Sequence, residues 1–77
     1  ETTNVRLYPN PTNGVFTLNT NTSSVSIYDL TGKLVKQFDG NFTSGYSFDI
    51  SNLTKSIYLV TIKTDSGALK TTKLVKF

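Results

Sequence analysis

Five carboxylates and eight basic side chains are all this 77-residue chain can bring to acid–base chemistry, because it contains neither histidine nor cysteine. A catalyst needs an acid, base or nucleophile held in an environment that tunes it. Without imidazole or thiolate, the base role falls to Glu1, Asp29, Asp39, Asp49, Asp65 and the lysines. Each aspartate stands beside a turn or on an outward strand position, where solvated turn formers belong. No two lie close enough in sequence to suggest a carboxylate dyad. The glycines are isolated turn residues and not a phosphate-cradling loop, and no acidic calcium loop occurs. With no Cys and no His, the usual transition-metal ligands and any disulfide are also missing. These residues point to a non-catalytic protein without cofactor, metal or small-molecule substrate.

The remaining polar patterns are equally diffuse. Net charge is +3, but Lys33, Lys36, Lys55 and Lys63 are scattered, and only Lys70, Lys73 and Lys76 form a loose group. Phosphate backbones are read by dense basic stripes with interleaved aromatics, so no nucleic-acid partner is expected. Lysines on a late strand also blunt a sheet edge against aggregation. Asn21-Thr22-Ser23, Asn41-Phe42-Thr43 and Asn52-Leu53-Thr54 match the glycosylation triplet at a frequency that such a composition gives by chance. Tyr8, Tyr28 and Phe42 are the aromatics without a clear inward assignment and could build a sugar platform. Core demand in so small a domain favours packing instead.

The most informative local chemistry is conformational. Tyr8-Pro9-Asn10-Pro11-Thr12-Asn13-Gly14 separates two short apolar segments, and its prolines remove two donors from any ladder. Tyr8 and Asn10 precede proline and are pushed to extended conformations. Asn10 and Pro11 suit the first positions of a type I turn, and Asn13-Gly14 offers left-handed conformers to restart a strand.

Alternation, not a helical period, runs through the chain. Strands are expected at Val5–Tyr8, Val15–Asn19, Ser24–Asp29, Lys33–Asp39, Tyr46–Ile50, Ile57–Thr64 and Ala68–Phe77, with a turn signal in every gap. About seven short antiparallel strands at such spacing argue for one all-β, immunoglobulin-like sandwich. Asp29 to Lys33, with Gly32, and Thr64 to Gly67 read as tight hairpins. Ser51 to Ser56 reads as a crossing between sheets, with Leu53 plugging the core and Tyr58 placed for a tyrosine corner. Inward faces are Val5 and Leu7; Phe16 and Leu18; Val25 and Ile27; Tyr46, Phe48 and Ile50; Tyr58, Val60 and Ile62. Adjacent Leu34 and Val35 leave one strand ambiguous. In the last, Leu69, Val75 and Phe77 share a face opposite Leu74, which calls for a bulge or two exposed apolar residues.

Four motifs in order resemble a known family: the Tyr8 to Gly14 corner; Ile27-Tyr28-Asp29-Leu30-Thr31-Gly32-Lys33-Leu34-Val35; Asp49 to Leu53 leading into Ile57-Tyr58-Leu59-Val60; and closing Lys73-Leu74-Val75-Lys76. The chain is similar, over residues 5 to 77, to the type A C-terminal sorting domain of the type IX secretion system of Bacteroidota. The resemblance implies a tag on a larger passenger protein. The passenger crosses the inner membrane by general export, the outer-membrane translocon then reads the tag, and a sortase-like peptidase commonly removes it at the cell surface. Glu1 to Asn4 would be linker or processing region. Recognition candidates are Pro9, Asn10, Pro11, Asn13, Gly14, Asp29, Gly32, Tyr58, Lys73, Leu74, Val75 and Lys76. The corner would supply a rigid shape, and Lys70 to Phe77 would supply charge and a free backbone edge. The family usually has glycine where this chain has Ser56, which would strain by about 1 kcal/mol if positive φ were required. A carbohydrate-binding or spacer module of an extracellular hydrolase is the alternative reading.

Overall fold

A computed structural model describes residues 5 to 77. Seven strands form: β1 (Leu7–Tyr8), β2 (Val15–Leu18), β3 (Thr22–Tyr28), β4 (Leu34–Phe42), β5 (Ser47–Asp49), β6 (Ser56–Thr64) and β7 (Leu69–Lys76). All ladders between them are antiparallel. One sheet has the order β1-β2-β5 and the other β4-β3-β6-β7, so Ser51 to Lys55 crosses between sheets as expected. The result is an all-β, two-sheet sandwich. The expected segment beginning at Val5 shortens to Leu7–Tyr8, and the Glu1 to Asn4 linker lies outside the described residues.

Period-two alternation places Phe16, Leu18, Val25, Ile27, Phe48, Ile50, Tyr58, Val60, Ile62 and Leu74 in one buried core. Val5, Leu7, Val35, Phe38, Phe42 and Leu53 pack around it. Tyr46 is a correction: it is 47 % exposed. Its ring lies 4.9 Å from Phe42 and 5.0 Å from Phe48, forming an outer lid on the core.

The two ambiguous strands resolve differently. Register shifts on β4 put Gly40 and Asn41 opposite one residue of β3, and Val35 opposite none. The first bulge carries the strand through Gly40 to Phe42, where a turn was expected. The second sends Leu34 outward and Val35 toward the core. In β7 there is no bulge, since its register with β6 runs unbroken from Ser56↔Lys76 to Lys63↔Leu69. Leu74 is fully buried instead, and Leu69 and Phe77 are exposed.

Local chemistry fixes the connections. The Asp29 carboxylate accepts from the amides of Thr31 (2.9 Å) and Lys33 (3.0 Å) and from the Thr31 hydroxyl (2.6 Å). Gly32, at φ +91°, closes that hairpin, donating its amide to Asp29 O at 3.0 Å. At the next crossing the buried Tyr58 hydroxyl donates to the Thr54 carbonyl. That is the expected tyrosine corner at the start of the sixth strand. No non-glycine residue among those described has positive φ, so neither Ser56 nor Asn13 bears the left-handed conformation considered for it.

Candidate recognition surface

The corner's own geometry comes from Thr12. Its hydroxyl accepts the amides of Gly14 and Val15, both at 3.1 Å, and donates to Val15 O. A threonine-centred turn therefore stands where a type I turn was expected, and the peptide bonds preceding Pro9 and Pro11 are both cis. Gly14 is required by close approach: a Cβ there would come within 3.2 Å of the Ser51 Cβ. Its carbonyl accepts the Ile50 amide at 2.7 Å, fastening the corner to the end of β5.

The same corner clasps the outer edge of β7. The Asn10 side-chain amide donates to Lys73 O (2.7 Å), and its oxygen accepts the Val75 amide (3.0 Å). Two residues further on, the Thr12 amide donates to Val75 O at 2.8 Å and the Thr12 carbonyl accepts the Phe77 amide at 3.0 Å. Asn10 thus imitates a peptide group, and Thr12 supplies a real one in a parallel bridge to Lys76. Pro9 and Pro11, which have no amide hydrogen, flank the group that makes the contact. The expectation of a free backbone edge along Lys70 to Phe77 is therefore corrected: from the Lys73 carbonyl onward the edge is occupied.

Strand registers place the sequence-derived candidates at one end of the sandwich. The corner meets the end of β7, Ser56 of β6 pairs with Lys76, and Tyr28 at the end of β3 pairs with Leu59. Pro9, Asn10, Pro11, Asn13, Gly14, Asp29, Gly32, Tyr58, Lys73, Leu74, Val75 and Lys76 all belong to that half. Direct hydrogen bonds unite Asn10 with Lys73 and Val75. Asp29 and Gly32 form their own hairpin, while Leu74 and Tyr58 are buried in the core. Sequence reasoning passed over Thr12, which is fully buried and has its amide, carbonyl and hydroxyl all bonded. Its signal was a hydroxyl two residues before a glycine that restarts a strand.

Electrostatics at this end are mild. Asp29 titrates below its ordinary value, first because of the Thr31 hydroxyl and then the Lys33 amide. Asp49 is lowered as well, first by the Ser51 amide and then by the Ser51 hydroxyl. Both shifts follow from hydrogen bonds to the charged form, the usual chemistry of aspartates that hold turns. No three metal-ligating side chains gather among the described residues. At the opposite end a shallow hollow is lined by Asn21, Thr22, Asn41, Phe42, Thr43 and Asp65. What the corner end presents is a fixed shape and backbone groups.

No curated protein matches the chain. The family model for the secretion system C-terminal sorting domain matches residues 6–76, which takes in the corner, both hairpins and the closing strand. A folded two-sheet sandwich carrying that match along nearly its whole length belongs to the family of type IX secretion C-terminal sorting domains, signals by which a larger protein is exported from the cell.

Proposed function

We propose that residues 5 to 77 form a folded delivery label for a passenger preceding it in the same chain. The passenger enters the periplasm by general export, and the type IX outer-membrane translocon then engages the label and brings its cargo to the cell surface or medium. A sortase-like peptidase cuts near the Glu1 to Asn4 segment. The domain is a substrate of both partners and catalyses nothing itself. The observation carrying this reading is the family match over residues 6–76. The clasped end supports it physically, because a corner already fixed by its own hydrogen bonds presents its shape without a further ordering cost.

The test is a fluorescent or enzymatic reporter fused ahead of Glu1 and expressed in a secretion-competent host and its translocon-deficient counterpart. Export in the first host, with periplasmic retention in the second, is expected. Equal retention in both rejects the label reading. Binding of the domain to insoluble polysaccharide, abolished by Tyr8→Ala or Tyr28→Ala, would favour a carbohydrate module instead.

A further inference from the structure

Every open sandwich has sheet edges, and here four strands provide them: β1, β5, β4 and β7. Edges invite pairing unless they are short, irregular or covered. β1 has 2 residues and β5 has 3, too few to template a partner. β4 is longer but is broken by two register shifts, which bend an edge away from straight pairing. Among the described residues β7 alone is both long and regular, with 8 residues in unbroken register.

The clasp identifies which of its groups point outward. Lys73, Val75 and Phe77 send carbonyls and amides to the corner, so the two-residue period of a strand also turns Leu69 and Thr71 outward. The amides and carbonyls of Leu69 and Thr71, with the amide of Lys73, meet no partner among the described residues. Beside them Leu69 is 70 % exposed. The charges along this stretch are Lys70 and Lys73 on β7 and Lys63 opposite Leu69, against Asp65 in the preceding turn. A second copy pairing here would gather the lysines of both copies around one short ladder, which like-charge repulsion disfavours.

We propose that Leu69–Lys73 is a β-augmentation site for one extended segment of the export machinery that carries acidic side chains. The open backbone groups supply the ladder, the lysines select the charge, and the Asn10 clasp acts as a stop. An incoming strand cannot slide past Lys73, so its register is fixed where an uncovered edge would allow slippage. This inference rests on the sorting-label reading and goes further by naming the open half of one strand and the chemistry of its partner.

Two measurements decide it. In the first, the isotope-labelled domain is titrated with a blocked peptide of alternating valine and aspartate, and in parallel with its valine–lysine counterpart. The acidic peptide should slow amide exchange at Leu69, Thr71 and Lys73 by roughly tenfold, leaving Lys70 and Thr72, already paired with β6, unchanged. Protection elsewhere, equal protection by both peptides, or concentration-dependent self-association through these amides would overturn the proposal. In the second, Thr71→Pro is placed in the reporter fusion. The substitution removes an outward amide and leaves the β6 ladder intact, so export should drop about tenfold while circular dichroism of the domain is retained. An unexported parent fusion rejects the label reading. An exported parent with an equally exported, folded Thr71→Pro fusion rejects the edge alone. Should Thr71→Pro fail to fold, Lys70→Glu combined with Lys73→Glu decides by the same criterion.

Discussion

Asn10 shows how much a single side chain does in this domain. Its amide donates to one carbonyl and accepts one amide of β7, so each half of the group has a separate role. Asn10→Asp keeps the acceptor for Val75 and sets an oxygen against Lys73 O. We expect a loss of about 1–2 kcal/mol in urea unfolding, and a comparable loss for Asn10→Ala, because β7 groups are left without partners. Tyr58→Phe orphans the Thr54 carbonyl and should cost about 1–2 kcal/mol by the same measurement. The aspartates give a pH signature. Asp29 binds its proton less readily when folded than at its ordinary value of 3.8, so the unfolded chain takes up more protons as pH falls through that region. The contribution of Asp29 is therefore present above that value and is lost as pH drops toward the lowered folded one. Asp29→Asn should flatten the urea midpoint between neutral and acidic pH relative to the parent, with Asp49 supplying the slope that remains. A profile unchanged by the substitution would refute this origin.

At the scale of elements, most of what depends on local residue type was legible in the sequence, the Thr12-centred turn being an exception. Alternation located the strands, Asp29 to Lys33 announced its hairpin, and Tyr58 announced its corner, because each signal lies within a few residues of its consequence. Features set by a distant partner stayed hidden. Gly40 read as a turn, since only pairing with β3 reveals that the strand bulges and continues. The last strand carried apolar residues on both faces, and nothing local says that Leu74 is the one buried beneath the opposite sheet. The candidate site divides in the same way. Its residue types were legible, but not that Asn10 and Thr12 close upon a strand more than sixty positions away. The aromatic side of the sandwich is likewise a tertiary product: Phe48 of β5 stacks on Phe16 at 5.2 Å and meets Phe38 and Phe42 of β4 at 5.1 and 5.0 Å. Phe48→Ala should cost about 3–5 kcal/mol. A domain this small, without disulfides, has about that much stability in total. Near-ultraviolet dichroism and thermal melting should therefore show the variant largely unfolded at room temperature.

For the molecule as a whole, the sandwich is closed differently on its two long sides. Phe38, Phe42, Tyr46 and Phe48 bridge β4 and β5 on one side, and the proline corner bridges β1–β2 and β7 on the other. The first segment of the fold and the last thus stabilise each other, and that decides how truncation must be interpreted. Removing Lys73 to Phe77 takes away the fully buried Leu74, every β7 group that the corner binds, and half of the β6–β7 register. Loss of a core leucine alone costs about 2–5 kcal/mol, enough to exhaust a small domain. We therefore expect the truncated domain to be unfolded by circular dichroism and protease-sensitive, and its fusion to remain unexported for that reason. Leu74→Ala should reproduce both outcomes with every charge and every residue of the tail still present. Lys73→Ala, whose side chain bears none of the clasp bonds, should instead keep the fold. If the truncated domain proved folded yet unexported, the closing strand would have to act in recognition without holding the sandwich shut, contrary to the packing of Leu74 and the clasp at Asn10.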